Sequence, residues 1–293
     1  MMTRTTVSIP ADFSFRHTVG SHGWYDLPPF ELDRDTWTLR YVFARRGRRG
    51  PVSSAARVAG GTRLTISHTG GPEDSRSVAG GLRHILRLDE PLETFYEMVA
   101  GHDRLGWAAE AGAGRLLRSA TVFEDLVKTI CTTNCSWALT KKMTSALVEN
   151  LGEPAADGRR AFPTPEAMAS VDAGFYRDEI RAGYRSPYFV ELAEKVAAGE
   201  LDPESWLNKD VPSAELRREI KSVKGVGDYA ADNLLKLLGR YDGLALDSWL
   251  RSQFYKRHNR GKQCPDKKIE RFYAPFGDWK GLAIWCDMTE HWF

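Results

Sequence analysis

The residues best suited to chemistry lie between 213 and 258. Lys224-Gly225-Val226-Gly227 reads as a tight turn between two helices. The first has Leu216, Ile220 and Val223 at apolar positions, and the second buries Ala230, Ala231, Leu234, Leu235 and Leu238. Ser213 and Asp228 are the expected N-caps, and Gly239 the expected stop. Two glycines one residue apart let the backbone turn sharply and approach another molecule closely. The free N–H groups opening the second helix would then face outward with partial positive charge, which suits a phosphate oxygen. Lys221, Lys224 and Lys236 are expected around it. Twenty residues beyond Gly227, a strand-like run, Leu244-Ala245-Leu246, delivers Asp247 to the start of a further helix. The commoner role of Asp at such a boundary is a plain N-cap. A carboxylate facing a sugar could also stabilise the positive charge that grows as a glycosidic bond breaks, and could activate water. One side chain can serve both roles.

Two other readings of this segment stay open. Gly225-x-Gly227-x-x-Ala230 fits a dinucleotide-binding fingerprint, but that motif needs a buried strand before it. Residues 216–223 are charged and helical in period, so this reading ranks below the phosphate one. The segment could also be an ordinary helical hairpin with a glycine turn.

The elements that must position these residues change character along the chain. In residues 36–43, Trp37, Leu39, Tyr41 and Phe43 alternate with Thr36, Thr38, Arg40 and Val42, the period of a strand buried on one face. Leu64 and Ile66 repeat the pattern; Gly60-Gly61 and Gly70-Gly71 mark turns, and residues 45–50 read as an exposed basic loop. From about residue 91 the period is helical: apolar residues from 116 through 139, an amphipathic stretch over 188–198 closed by Gly199, and an aromatic-rich end over 279–293. The expected fold class is α+β, with an antiparallel β-rich domain over 1–90 and a helical domain over 91–293. The helical domain holds the hairpin at 213–239 and the aspartate segment at 244–251.

Composition sets the bounds. The chain has 293 residues, 42% of them hydrophobic, enough for one large core or two smaller ones. No apolar run reaches membrane-spanning length, and residues 1–10 lack the apolar core of a secretion signal, so a soluble protein is expected. The net charge of +2 is uninformative, but residues 209–271 carry 15 Lys or Arg against 9 Asp or Glu. That local excess suits a phosphate-tracking surface, although charge alone describes a solvated helical face equally well. Cys131, Cys135, Cys264 and Cys286 form no Cys-x-x-Cys pair and read as reduced thiols.

The order of helix, Lys224-Gly-Val-Gly-Asp-Tyr-Ala-Ala-Asp232, helix, then Leu246-Asp-Ser-Trp-Leu-Arg251 resembles the helix-hairpin-helix signature of base-excision DNA glycosylases, with the 8-oxoguanine branch the nearest. Residues 123–134, ending in Asn134, and Ala182-Gly-Tyr-Arg-Ser-Pro-Tyr188 are similar to further segments of that branch. The resemblance covers residues 90–290 well and the first 90 in outline. It implies that Asp247 is catalytic, that Asn134 fills the gap left by a flipped base, that Tyr184 wedges the duplex and that Arg185 faces the orphaned base. Lys224, Gly225, Val226, Gly227, Asp228 and Arg251 would also contact DNA.

Two departures matter. The position two residues after the second hairpin glycine, a Schiff-base lysine in the bifunctional branch, is Tyr229 here, so hydrolysis by water without a lyase step is expected. The stretch 279–285 lacks the glutamine that reads 8-oxoguanine. Tyr229, Trp249 and Trp285 are the expected walls of a base pocket, and their electron-rich rings suit an alkylated purine. The alternatives are an oxidised-purine glycosylase or a non-catalytic DNA-binding protein. By resemblance, a Na⁺ or K⁺ ion could sit on the carbonyls of Lys221, Val223 and Val226; no iron–sulfur cluster is expected, because the tail offers only two cysteines. The expected partner is damaged double-stranded DNA, bound by a monomer in the bacterial cytoplasm or a eukaryotic nucleus.

Overall fold

The computed structural model describes residues 2–45, 50–58 and 60–292. The basic loop expected over 45–50 falls mostly on residues 46–49, which lie outside the described residues, as does Phe293. Five strands, β1 (Thr3–Ser8), β2 (Glu31–Asp33), β3 (Thr38–Phe43), β4 (Val52–Val58) and β5 (Arg63–His68), form one antiparallel sheet in the order β1-β5-β4-β3-β2. Leu39, Ala56, Leu64 and Ile66 point to the core from registered positions. The expected alternation in β3 needs two corrections. Trp37 precedes the strand at a positive φ of 47°. Val42, on the face expected to be polar, is buried against Ala155 and Ala161 of a returning loop.

Seven helices matter below: α1 (Ser75–Ile85), α2 (Val122–Thr132), α3 (Ser186–Ala197), α4 (Ser213–Lys221), α5 (Asp228–Leu237), α6 (Ser248–His258) and α7 (Lys280–Thr289). Helix α1 buries Val78, Leu82 and Ile85 at helical spacing and packs against β1, β4 and β5. Helix α2 starts later than the apolar residues from 116 suggest, because Thr121 caps it through Glu124 N–H. One connected apolar core runs from Val7 on β1 to Met288 on α7, so sheet and helices share an interior. The α+β class holds. A helix precedes Gly225 and the sheet is antiparallel, which removes the dinucleotide reading. Among the described residues, no helix is long and apolar enough to cross a membrane.

Candidate active site and nucleic-acid interface

Helices α4 and α5 form the hairpin, and Val223 and Val226 anchor its turn in the core. The Val226 N–H donates to the Val223 carbonyl at 3.1 Å. Gly225 has φ +88°, and a Cβ there would lie 2.8 Å from the Tyr188 ring of α3, so both conformation and space demand glycine. The N-cap of α5 is Gly227, not Asp228 as expected from sequence. Gly227 has no side chain to occupy the first-turn N–H groups and is exposed. Asp228 is instead the first helical residue, ion-paired with Lys221 at 2.6 Å and Arg217 at 2.8 Å. Ser213 is likewise the first residue of α4, with Pro212 before it as N-cap.

The three lysines expected around the turn do not share one face. Lys221 is held by Asp228, and Lys224 by Glu191 of α3 at 2.5 Å. Lys236 lies inside the protein, only 2% exposed. About two helical turns separate it from the Gly227 end of α5, and there its ammonium lies over the Trp285 ring.

Residues 244–246 are not a strand. Ala245 adopts φ +51°, an uncommon value for a residue with a Cβ, and the kinked segment swings Asp247 to the N-cap of α6. There its Oδ1 accepts the Leu250 N–H at 2.6 Å. A carboxylate offers about four lone-pair sites, so the cap leaves acceptor capacity. Helix α7 supports this segment from behind. The Gly281 N–H donates to Tyr241 O at 2.7 Å, and a Cβ on Gly281 would collide with Gly243 O.

Asp247 opens onto a cavity of about 970 Å³, within the size range of ligand pockets. Helix α5 contributes Tyr229, Asn233 and Lys236 to its wall, a single stripe at helical spacing. Burial, then the neighbouring Asp247 carboxylate, raises the Tyr229 phenol well above its ordinary range, so it stays protonated. Burial lowers Lys236 to about 8, and the Asp247 charge opposes that shift. The Trp249 and Trp285 rings lie 5.9 Å apart, and both pack on Trp292, at 5.4 and 5.7 Å. His22 completes the inner wall, its Nε2 2.5 Å from Leu117 O, and burial lowers it to about 4. Lys236, expected at the turn, belongs to the cavity instead, and Asn233, His22 and Trp292 escaped the sequence reading. The first two sit at i+7 and i+4 from Tyr229, a visible signal; His22 and Trp292 arrive from the chain's two ends, where no local pattern points to them.

A second cleft, about 820 Å³, adjoins across Tyr229, Leu246 and Arg251, with Asp228, Asp232, Asp242, Asp266 and Glu270 along it and Arg271 and Lys280 among them. Arg251 is engaged there by Asp266, with two bonds of 2.8 Å. Asn134 and Tyr184 come together, Nδ2 donating to the phenol oxygen at 3.4 Å, and Tyr184 is 52% exposed. Arg185 stacks on the Tyr184 ring, 4.5 Å from its centroid, but from the buried side. It is 4% exposed, and its guanidinium donates to the carbonyls of Ile130, Ala182 and Thr133. It therefore secures the loop after α2 and, in this state, presents no face to a partner.

No family model matches the chain. It is 25% identical over 175 residues to an N-glycosylase/DNA lyase of Saccharomyces cerevisiae, a match covering 56% of this chain and 46% of that protein, so it spans about half the yeast protein's length. Among solved structures, a 3-methyladenine DNA glycosylase from Archaeoglobus fulgidus superposes with a TM-score of 0.79 at 19% identity, covering 99% of each chain. The Clostridium acetobutylicum 8-oxoguanine glycosylase/lyase, bound to double-stranded DNA, gives 0.74 at 18% identity, over 99% of this chain and 97% of that one. The chain thus has the fold of the helix-hairpin-helix DNA glycosylases, and its relatives and structural neighbours are 3-methyladenine and 8-oxoguanine enzymes of that superfamily.

Proposed function

We propose that this protein is a DNA glycosylase that releases a damaged base from duplex DNA by hydrolysis, with Asp247 acting on the sugar. The observation that carries the reading is the placement of Asp247 at the mouth of an aromatic-walled cavity, on a segment joined to an exposed glycine turn. In this scheme the first-turn N–H groups of α5 at Gly227 and Asp228 bind a phosphate, with Lys224 beside them. Exchanging the exposed Lys224–Glu191 pair for phosphate costs little, since surface ion pairs contribute under about 1 kcal/mol. Asn134 and Tyr184 occupy the space a base leaves when it swings out, and Arg251 exchanges Asp266 for the backbone near the sugar.

The chemistry follows from the carboxylate. As the N-glycosidic bond breaks, its electron pair leaves with the base and positive charge spreads over C1′ and the ring oxygen. Asp247 stabilises that charge and takes a proton from a water whose oxygen then bonds to C1′. Tyr229, protonated and beside Asp247, orients the carboxylate and is no amine, which supports hydrolysis without strand cleavage. The tryptophan cluster offers stacking faces that support a modified purine, alkylated purines among them, as the base. The resemblance would place a monovalent cation on the hairpin carbonyls of Lys221, Val223 and Val226; Val223 O, which accepts the Val226 N–H, keeps a second lone pair for it. Such an ion would help fix the turn, and exchanging K⁺ for choline should then weaken DNA binding.

The decisive variant is Asp247→Asn. It is expected to bind lesion-bearing duplex as the wild type does and to lose base release by at least a hundredfold. Undiminished release would defeat the assignment. Borohydride should trap no covalent complex with the wild type.

A further inference from the structure

Lys236 has no place in that chemistry, yet it is the most unusual group in the cavity. It lies seven residues beyond Tyr229 on the same stripe of α5, roughly 10 Å further along the helix axis. Its ammonium sits 5.0 Å over the Trp285 ring and makes no hydrogen bond among the described residues. An ammonium carries three donors and no acceptor, and burying one unpartnered is costly. Packing does not require it, because leucine or methionine would fill the same space against Trp285 without that cost. The ring face beneath it offsets part of the penalty, and the Asp247 charge keeps it protonated. Lys236 is among the residues lining the cavity in which a flipped base would sit, so its unused donors are the nearest unspent ones on that wall of α5.

Resting on the reading of the preceding section, we propose that Lys236 reads the extruded base, donating to a carbonyl oxygen or ring nitrogen of an uncharged lesion and excluding bases that carry positive charge. Away from water, two like charges repel strongly. A cationic base must face the ammonium or drive off its proton. With Lys236 held at about 8, losing the proton costs about tenfold at pH 7. Within the alkylated class this selects neutral adducts, such as etheno-bridged purines, over cationic N-methylpurines. Deaminated and oxidised purines offer the same acceptor chemistry.

The test is single-turnover base release from duplexes bearing 1,N6-ethenoadenine, hypoxanthine, 8-oxoguanine or cationic 7-methylguanine, each rate divided by its uncatalysed rate. The wild type is expected to favour at least one uncharged base over 7-methylguanine by tenfold or more, and the identity of that base separates the three sources. Lys236→Met should slow the favoured base at least tenfold and close the gap, while Lys236→Arg should keep the preference. Equal or greater enhancement for 7-methylguanine by the wild type would overturn the proposal. So would an unchanged ratio in the Met variant, or a borohydride-trapped complex that disappears in it, since the amine would then act on the sugar. Thermal denaturation reports whether the Met variant folds; if it does not, the wild-type ratio decides. Release of none of the four bases defeats the glycosylase reading itself, which separates that failure from a failure of Lys236 alone.

Discussion

Asp247 is both a cap and the proposed catalyst, and the two roles can be separated by substitution. Asparagine caps helices as well as aspartate does, so Asp247→Asn should keep the melting temperature while losing base release. Alanine loses both, and Asp247→Ala should also cost about 1 kcal/mol of stability, measured by denaturant unfolding. His22 sets a pH dependence. Its folded-state value, about 4, lies below the 6.5 of the unfolded chain, so the unfolded state takes up the proton first. The stability it supports is complete above pH 6.5 and is lost as pH falls toward 4, by at most roughly 2 kcal/mol at pH 5. His22→Gln should flatten that part of the profile; the same acid-side slope in the variant would place the effect elsewhere. At this scale the sequence was legible wherever local spacing carried the signal. Asp247 could be found because a glycine turn and an apolar run lead to it. Lys236 was read as a surface charge, because composition around the turn is basic and only the rotation of α5 shows which lysine faces inward.

At the scale of elements, the hairpin was readable because its helices are amphipathic and its turn needs glycine. What could not be read was the kink at Ala245, which follows a turn at residues 241–243 that packs against α7. Gly281 permits that contact. Gly281→Ala would place a methyl against the backbone oxygen of Gly243, and overpacking of this kind costs about 1–3 kcal/mol. Since the strand of chain displaced leads directly to Asp247, base release is expected to fall more than DNA binding does. Equal losses of both would mean that the variant is merely unstable. The cap of α5 makes a related point: Asp228 has the right residue type one position too late, and Gly227 ends the turn bare, with its N–H groups open.

For the whole molecule, the positive excess over 209–271 overstates the charge free to meet DNA. Arg217, Lys221, Lys224, Arg251 and Arg257 are all paired with carboxylates. Affinity should therefore fall with salt less steeply than the formal charge suggests. Lys224→Gln is expected to reduce the slope of log K against log salt by about 0.9, the amount for one phosphate contact. An unchanged slope would remove Lys224 from the interface. The α+β order of the chain was plain from its periodicities, whereas the interior shared by sheet and helices was not, since residues as far apart as Val7 and Met288 join one core only through tertiary packing.

The contact of Gly281 with the 241–243 turn has one more consequence. Because α7 also carries Trp285, one wall of the cavity and the segment leading to Asp247, the proposed catalyst, ride on a common mount. Attempts to retune which base is accepted by reshaping the α7 side should detune the reaction as well. The α5 stripe bears on the same mount, Lys236 against Trp285 and Tyr229 beside Asp247, so its substitutions should show the same coupling.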